Sequence, residues 1–126
     1  MRIFFLGPKR VGSFVTGMEA AVKQLETEGN EVFWPWRDRR SKRDEDGIAE
    51  TIEDMWAMGM ADKVVVWYYR KSEAVALGVG LALMMHKPLE LVDRGKQEET
   101  VSKLYKMLEH WSVLMERLEG KHVEAQ

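Results

Sequence analysis

Whatever chemistry this chain of 126 residues performs is done without thiols, because it holds no cysteine. That excludes a disulfide scaffold, thiolate zinc or iron–sulfur sites and a cysteine nucleophile. His86, His110 and His122 are too scattered for a metal constellation, so neither a metal nor a cofactor is expected. What remains are glycine-bearing loops, carboxylates, cations and aromatic rings. Gly7-Pro8-Lys9-Arg10-Val11-Gly12-Ser13 has the outer spacing of a phosphate-cradling loop. It lacks the lysine before the serine that would meet the outer phosphates, which argues against nucleoside triphosphate hydrolysis. Gly78-Val79-Gly80 sits inside a helical pattern with Leu83 where a third glycine would stand, so close helix–sheet packing explains it better than dinucleotide binding. Residues 37–46 carry five basic and four acidic side chains. Such a run is ordinarily a solvated loop, or else a lid that brings arginines to a phosphate. Trp34, Trp36, Tyr68 and Tyr69 cluster at the ends of apolar runs, where rings either stack on a nucleobase or pack under a loop.

The elements that position these groups follow from periodicity. Residues 3–6 form a buried strand closed by Gly7-Pro8. Ser13 caps a helix reaching about residue 28, with Val15, Met18, Val22 and Leu25 as its apolar stripe and Gly29-Asn30 as its stop. Residues 31–34 make a second strand halted by Pro35. A helix over 48–60 turns Ile48, Ile52, Met55 and Gly59 inward, which leaves Asp54 roughly 130° off that stripe as a solvated residue. Residues 63–69 are the most β-prone stretch, and their unbroken apolar run suits a central strand. Asp62, at the start of that strand, is structural. Ser72 caps a helix ending near Met85, with His86 at its C-terminal end; residues 89–92 form a fourth strand. A last helix spans about 97–118, and 119–126 are a frayed tail.

This β-α-β-α-β-α-β-α order predicts one α/β domain over residues 1–126. It is a three-layer, flavodoxin-like parallel sheet of four to five strands in the order 2-1-3-4, with helices on both faces. Such sheets bind ligands beyond the carboxyl ends of their strands where the order reverses, here between the first and third strands. Loops 7–13 and 68–72 then border one crevice. The helix beginning at Ser72 aims its positive end at an anionic group there.

Four features spread over residues 2–93 resemble the nucleoside 2-deoxyribosyltransferase-like superfamily. They are the strand ending in Gly7-Pro8; Leu25-Glu26-Thr27-Glu28-Gly29-Asn30-Glu31-Val32-Phe33-Trp34-Pro35 at the helix exit and second strand; Asp54 followed by Asp62 and the valine run; and Leu77-Gly78 with Lys87-Pro88. The resemblance implies a small flavodoxin-like domain that cleaves or exchanges N-glycosidic bonds of nucleosides or nucleotides. It also implies a glutamate just before the Leu-Gly pair, but that position is Ala76, and the family's acidic residue six places earlier falls on Arg70. A methyl group is no nucleophile, base or charge partner. Glu73, one turn nearer the crevice, is the remaining candidate carboxylate; by itself it reads as a first-turn acid favoured by the helix dipole. The resemblance gives Asp54 a sugar-hydroxyl or supporting catalytic role.

The expected site therefore comprises Glu73 and Asp54 as catalytic candidates, with Gly7, Pro8, Arg10, Ser13, Trp36, Tyr68, Arg70 and Ser72 around the ligand. The expected function is nucleoside or nucleotide binding, with or without N-glycosidic cleavage or transfer. A non-catalytic nucleotide sensor and an oligomeric interaction protein with a vestigial crevice remain alternatives. The net charge of −2 gives no global field for a nucleic-acid polymer. No apolar run reaches the roughly 18–20 residues that span a bilayer, and a cytoplasmic location is expected. Val101, Leu104, Leu108, Trp111, Met115 and Leu118 make a stripe long enough to meet a second subunit, so a homodimer is expected.

Overall fold

A computed structural model of the chain describes residues 1–8, 14–41, 47–69, 72–92 and 117–118. The chain divides into two compact units, Met1–Val92 and Asp93–Gln126. The first holds all the elements that follow. The expected last helix, its stripe and the tail fall on the second unit and, apart from 117–118, lie outside the described residues.

Four strands, β1 (Arg2–Leu6), β2 (Glu31–Phe33), β3 (Lys63–Val66) and β4 (Leu89–Leu91), alternate with helices α1 (Phe14–Thr27), α2 (Pro35–Asp38), α3 (Ile48–Met60) and α4 (Glu73–Met84). The sheet is wholly parallel in the order β2-β1-β3-β4, as expected from the sequence. Ile3 lies between Val32 and Lys63, and Val66 between Leu6 and Leu91. Successive residues of a strand face opposite sides. Ile3, Phe5, Val65 and Trp67 therefore pack with Val32 and Trp34 against Met18 and Val22 of α1. Phe4 and Leu6 turn to the other side, where α3 and α4 frame a cleft above them. Right-handed crossovers require this arrangement, because the step from β1 to β2 runs opposite to the two later ones.

Several features that carry the family resemblance hold this frame together. Gly29 adopts φ +94°, and the N–H groups of Gly29 and Asn30 reach back to the carbonyls of Glu26 and Leu25, ending α1 as a left-handed cap. The Asn30 side chain donates to the Leu25 carbonyl as well, at 2.9 Å. The Asp62 carboxylate accepts the Arg2 N–H at 2.7 Å, joining the starts of β1 and β3. Lys87 donates to the carbonyls of Gly59 and Ala61, each at 2.8 Å, placing its charge at the negative end of α3. Pro88 offers its carbonyl to the Val64 N–H. At Gly78 an added Cβ would stand 2.5 Å from a Leu6 methyl, so close approach of α4 to β1 is the reason for the glycine.

Two sequence expectations are corrected. Pro35 does more than stop β2: it begins the one-turn helix α2, where its missing N–H and fixed φ are at no disadvantage. The inward face of α3 is also misassigned. Ile48 and Ile52 are 55% and 61% exposed, Met55 and Gly59 are exposed too, and the residue buried from this helix is Met58. Glu50, Glu53 and Asp54 recur at three- and four-residue spacing, and all three engage the segment after β2. Those contacts set the roll of the helix, and the Ile48 stripe turns outward as a result.

Candidate functional site

The cleft between α3 and α4 measures about 130 Å³ and opens at the carboxyl end of β1. Phe4, Leu6 and Gly7 form its floor, and Pro35, Trp36 and Arg39 enter from the segment after β2. Thr51, Asp54, Met55 and Met58 line the α3 wall; Ala74, Leu77, Gly78 and Leu81 line the α4 wall. The last four have the i, i+3, i+4, i+7 spacing of one helical face.

Arg39 organises the polar side. Its Nε donates to Asp54 Oδ1 at 3.0 Å, its Nη2 donates to Asp54 Oδ2, and its Nη1 donates to Glu50 Oε2 at 3.2 Å. The guanidinium also lies over the Trp36 ring, 4.8 Å from its centroid. Planar bidentate pairing of this kind is stronger and more directional than a single contact, and cation–π stacking adds about 0.5–2 kcal/mol. The Arg39 and Asp54 side chains are only 19% and 21% exposed, so solvent screens the pair less than an open surface bridge. Hydrogen bonding to Asp54 raises the Arg39 pKa above its ordinary value, against the opposing effect of partial burial.

The neighbouring backbone is held by the same helix. Glu53 accepts the N–H of Arg40 at 2.9 Å and of Ser41 at 3.2 Å, and these bonds lower its pKa. On the other side, Arg37 donates to Asp38, Glu26 and the Val32 carbonyl, while Asp38 accepts the Trp34 N–H at 2.8 Å. Hydrogen bonds to Asp38, and then to Glu26, raise the Arg37 pKa. Residues 37–41 are thus strapped to α1, β2 and α3. This corrects the expectation of a solvated loop or free lid for that half of the run; residues 42–46 lie outside the described residues.

Of the residues expected at the site, Gly7, Trp36 and Asp54 come together at the cleft. The solvated, outward Asp54 expected from the α3 stripe is corrected to a partly buried, arginine-held one. Gly7 also serves packing, since a side chain there would meet Met18 Sδ at 2.7 Å. Pro8 is buried just beyond it. Ser72 caps α4 as expected, its Oγ accepting the Val75 N–H at 3.2 Å. Tyr68 is half-buried, and Tyr69 packs on Phe14 with ring centroids 4.8 Å apart. None of Ser72, Tyr68, Glu73 and Ala76 lines this cleft; Glu73 is exposed in the first turn of α4. Arg10, Ser13 and Arg70 lie outside the described residues, as does the stripe behind the expected homodimer apart from Leu118.

Sequence reasoning missed Arg39 as a site residue. Its signal was available: Glu50 and Asp54 at i, i+4 on one helix need a cation between them, and the arginine-rich run is the nearest supply. Among the described residues no group of three His, Asp or Glu side chains is placed to hold a metal ion. No described helix is long and apolar enough to cross a membrane.

No family model and no curated protein matches the chain. Among solved structures it is similar to the 2-deoxyribosyltransferase of the psychrotolerant bacterium Bacillus psychrosaccharolyticus, described as a biocatalyst for synthesis of antiviral and antitumoral nucleosides. The TM-score is 0.62 at 18% identity, over 72% of this chain and 71% of that one. At that identity the likeness is one of fold. The two chains share an α/β, flavodoxin-like frame as distant structural relatives.

Proposed function

We propose that the α3–α4 cleft binds a nucleoside or nucleotide and that this chain is a recognition module rather than a glycosidic-bond enzyme. The observation that carries the reading is the Arg39–Asp54 pair, held rigid at the tip of β1 in a mostly apolar cleft of a deoxyribosyltransferase-like fold. Small-molecule sites are mostly apolar with a few placed polar groups, which this cleft reproduces. Asp54 accepts from ligand hydroxyl or amide donors through its remaining lone pairs, and the spare N–H groups of Arg39 donate beside it.

The preference for binding over catalysis comes from the α4 wall. Ala74, Leu77, Gly78 and Leu81 offer no carboxylate to an anomeric carbon. Glu73 is exposed outside the cleft lining, and an offset of even 1 Å costs about 10²-fold in rate. The test is incubation with nucleosides and nucleoside 5′-monophosphates, following both calorimetric binding and release of free base. Saturable heat that disappears in Asp54→Ala, with no free base formed, is the expected result. Base release abolished by Glu73→Gln would overturn the non-catalytic reading and make Glu73 and Asp54 the catalytic pair.

A further inference from the structure

Resting on the nucleoside reading above, we infer that the cleft selects single-ring bases, holding pyrimidine nucleosides more tightly than purine nucleosides. Its volume of about 130 Å³ sets the scale. An apolar cavity of about 150 Å³ takes one benzene ring, whereas sites for whole drug-sized ligands run to about 300–1,000 Å³. One six-membered ring fills that space; a fused pair would project past the mouth at Leu77 and leave its second ring unburied.

Volume discriminates to the extent that the walls resist displacement, and each wall here has an attachment that resists it. On the α4 side the methyls of Leu6 stand 2.5 and 2.6 Å from where a Gly78 Cβ would lie, so the helix is packed directly on β1 and lifting it away would give up that contact. On the α3 side the strap is bonded through Arg39 to Glu50 and Asp54, and through the Arg40 and Ser41 N–H groups to Glu53. A larger base would have to break one of these two attachments.

The polar edge suits the same ligand. Three of the five N–H donors of Arg39 are engaged in the contacts above, and each Asp54 oxygen accepts one of those bonds. Donor and acceptor capacity therefore remain on the same ion pair and match the adjacent N–H and C=O groups of uracil and thymine; guanine carries the same pair, so this edge holds a base and the volume does the selecting. The apolar faces of Phe4, Met58 and Leu81 cover the ring itself.

Calorimetric titration of the full chain with uridine, cytidine and thymidine, against adenosine and guanosine, tests the inference. Pyrimidine nucleosides should bind about tenfold tighter or more, the lower range for a size mismatch in an apolar pocket. Leu77 lines the cleft yet is 61% exposed, so Leu77→Ala widens the mouth without hollowing the core and should bring the ratio toward one. Purine binding as tight as pyrimidine binding in the unaltered chain overturns size selection while leaving nucleoside binding intact. An unchanged ratio in folded Leu77→Ala overturns the part given to the α4 wall. No heat with any of the five nucleosides or their 5′-monophosphates overturns the nucleoside reading and this inference together.

Discussion

On one side of the cleft, α3 reaches its neighbours through three carboxylates, a guanidinium and two backbone N–H groups. On the other, α4 shows only Ala74, Leu77, Gly78 and Leu81 and rests directly on Leu6. Both walls stand above β1, yet charge pairing fixes the first and close packing the second. A charge-held wall fails when one partner is removed, because the remaining ions are left partly desolvated. A packed wall fails when volume is added, because interiors are as dense as organic crystals.

Arg39→Ala breaks the comparison most severely. It leaves Glu50 and Asp54 facing each other at i, i+4, uncovers Trp36 and loosens the strap, which Glu53 then holds to α3 through the Arg40 and Ser41 N–H groups. Removing one partner of a fully buried pair costs about 3–5 kcal/mol. With side chains about one-fifth exposed, the expected loss is about 2 kcal/mol. That corresponds to a fall in Tm of about 10 °C for a unit of this size. The counterpart on the other wall, Leu77→Ala, should cost less than about 1 kcal/mol, since its side chain is mostly exposed. Thermal melts of the two variants side by side measure the asymmetry, and equal melts would show that the ion pair contributes no more than a surface bridge.

The packed wall is probed by comparing Gly78 with Gly80 on the same helix. Gly78→Ala places a methyl against Leu6; overpacking costs about 1–3 kcal/mol, and removing a glycine from a helix returns about 1 kcal/mol. A net loss of about 1 kcal/mol is expected. Gly80, two residues on, has no atom within 4 Å of an added Cβ. Gly80→Ala should therefore gain about 0.5–1 kcal/mol from reduced chain freedom alone. Denaturation midpoints moving in opposite directions would confirm that α4 is limited by contact with β1. Movement in the same direction would place the limit elsewhere.

The same contrast explains what the sequence revealed. Sheet order, the Ser72 cap and the Gly29 stop were legible because each depends on local pattern: apolar runs, a hydroxyl before a helix, a glycine after one. Gly78 was legible for the same reason. The roll of α3 was not, because its partners lie 11–15 residues away in the charged run and periodicity alone favoured the Ile48 stripe. Asp54 followed that error outward, and Arg39 was lost as one of five cations in the run. The end of α4 shows the limit in another way. It closes with the same carbonyl pattern as α1, the N–H groups of His86 and Lys87 returning to Leu83 and Ala82. The left-handed position, φ +56°, is filled by His86 and not by glycine, so composition gave no sign of it.

The smallest expected effect sharpens the picture of the charge-held wall by titrating it. Glu53 owes its lowered pKa first to the Arg40 N–H and then to the Ser41 N–H, so its ionised form is what grips the strap. A folded-state pKa below the unfolded value means that the contribution is present in full above the ordinary glutamate range. It is lost as pH falls through the lowered folded value. Amide exchange at Arg40 and Ser41, corrected for the intrinsic dependence on pH, should stay protected at neutral pH and rise once the medium is more acid than that value. The α4 amides should not share that step. Glu53→Gln keeps a weaker acceptor without the charge and should remove the titration while leaving partial protection. Protection at Arg40 and Ser41 that is indifferent to pH in the unaltered chain would show that the charge of Glu53 does not secure the strap.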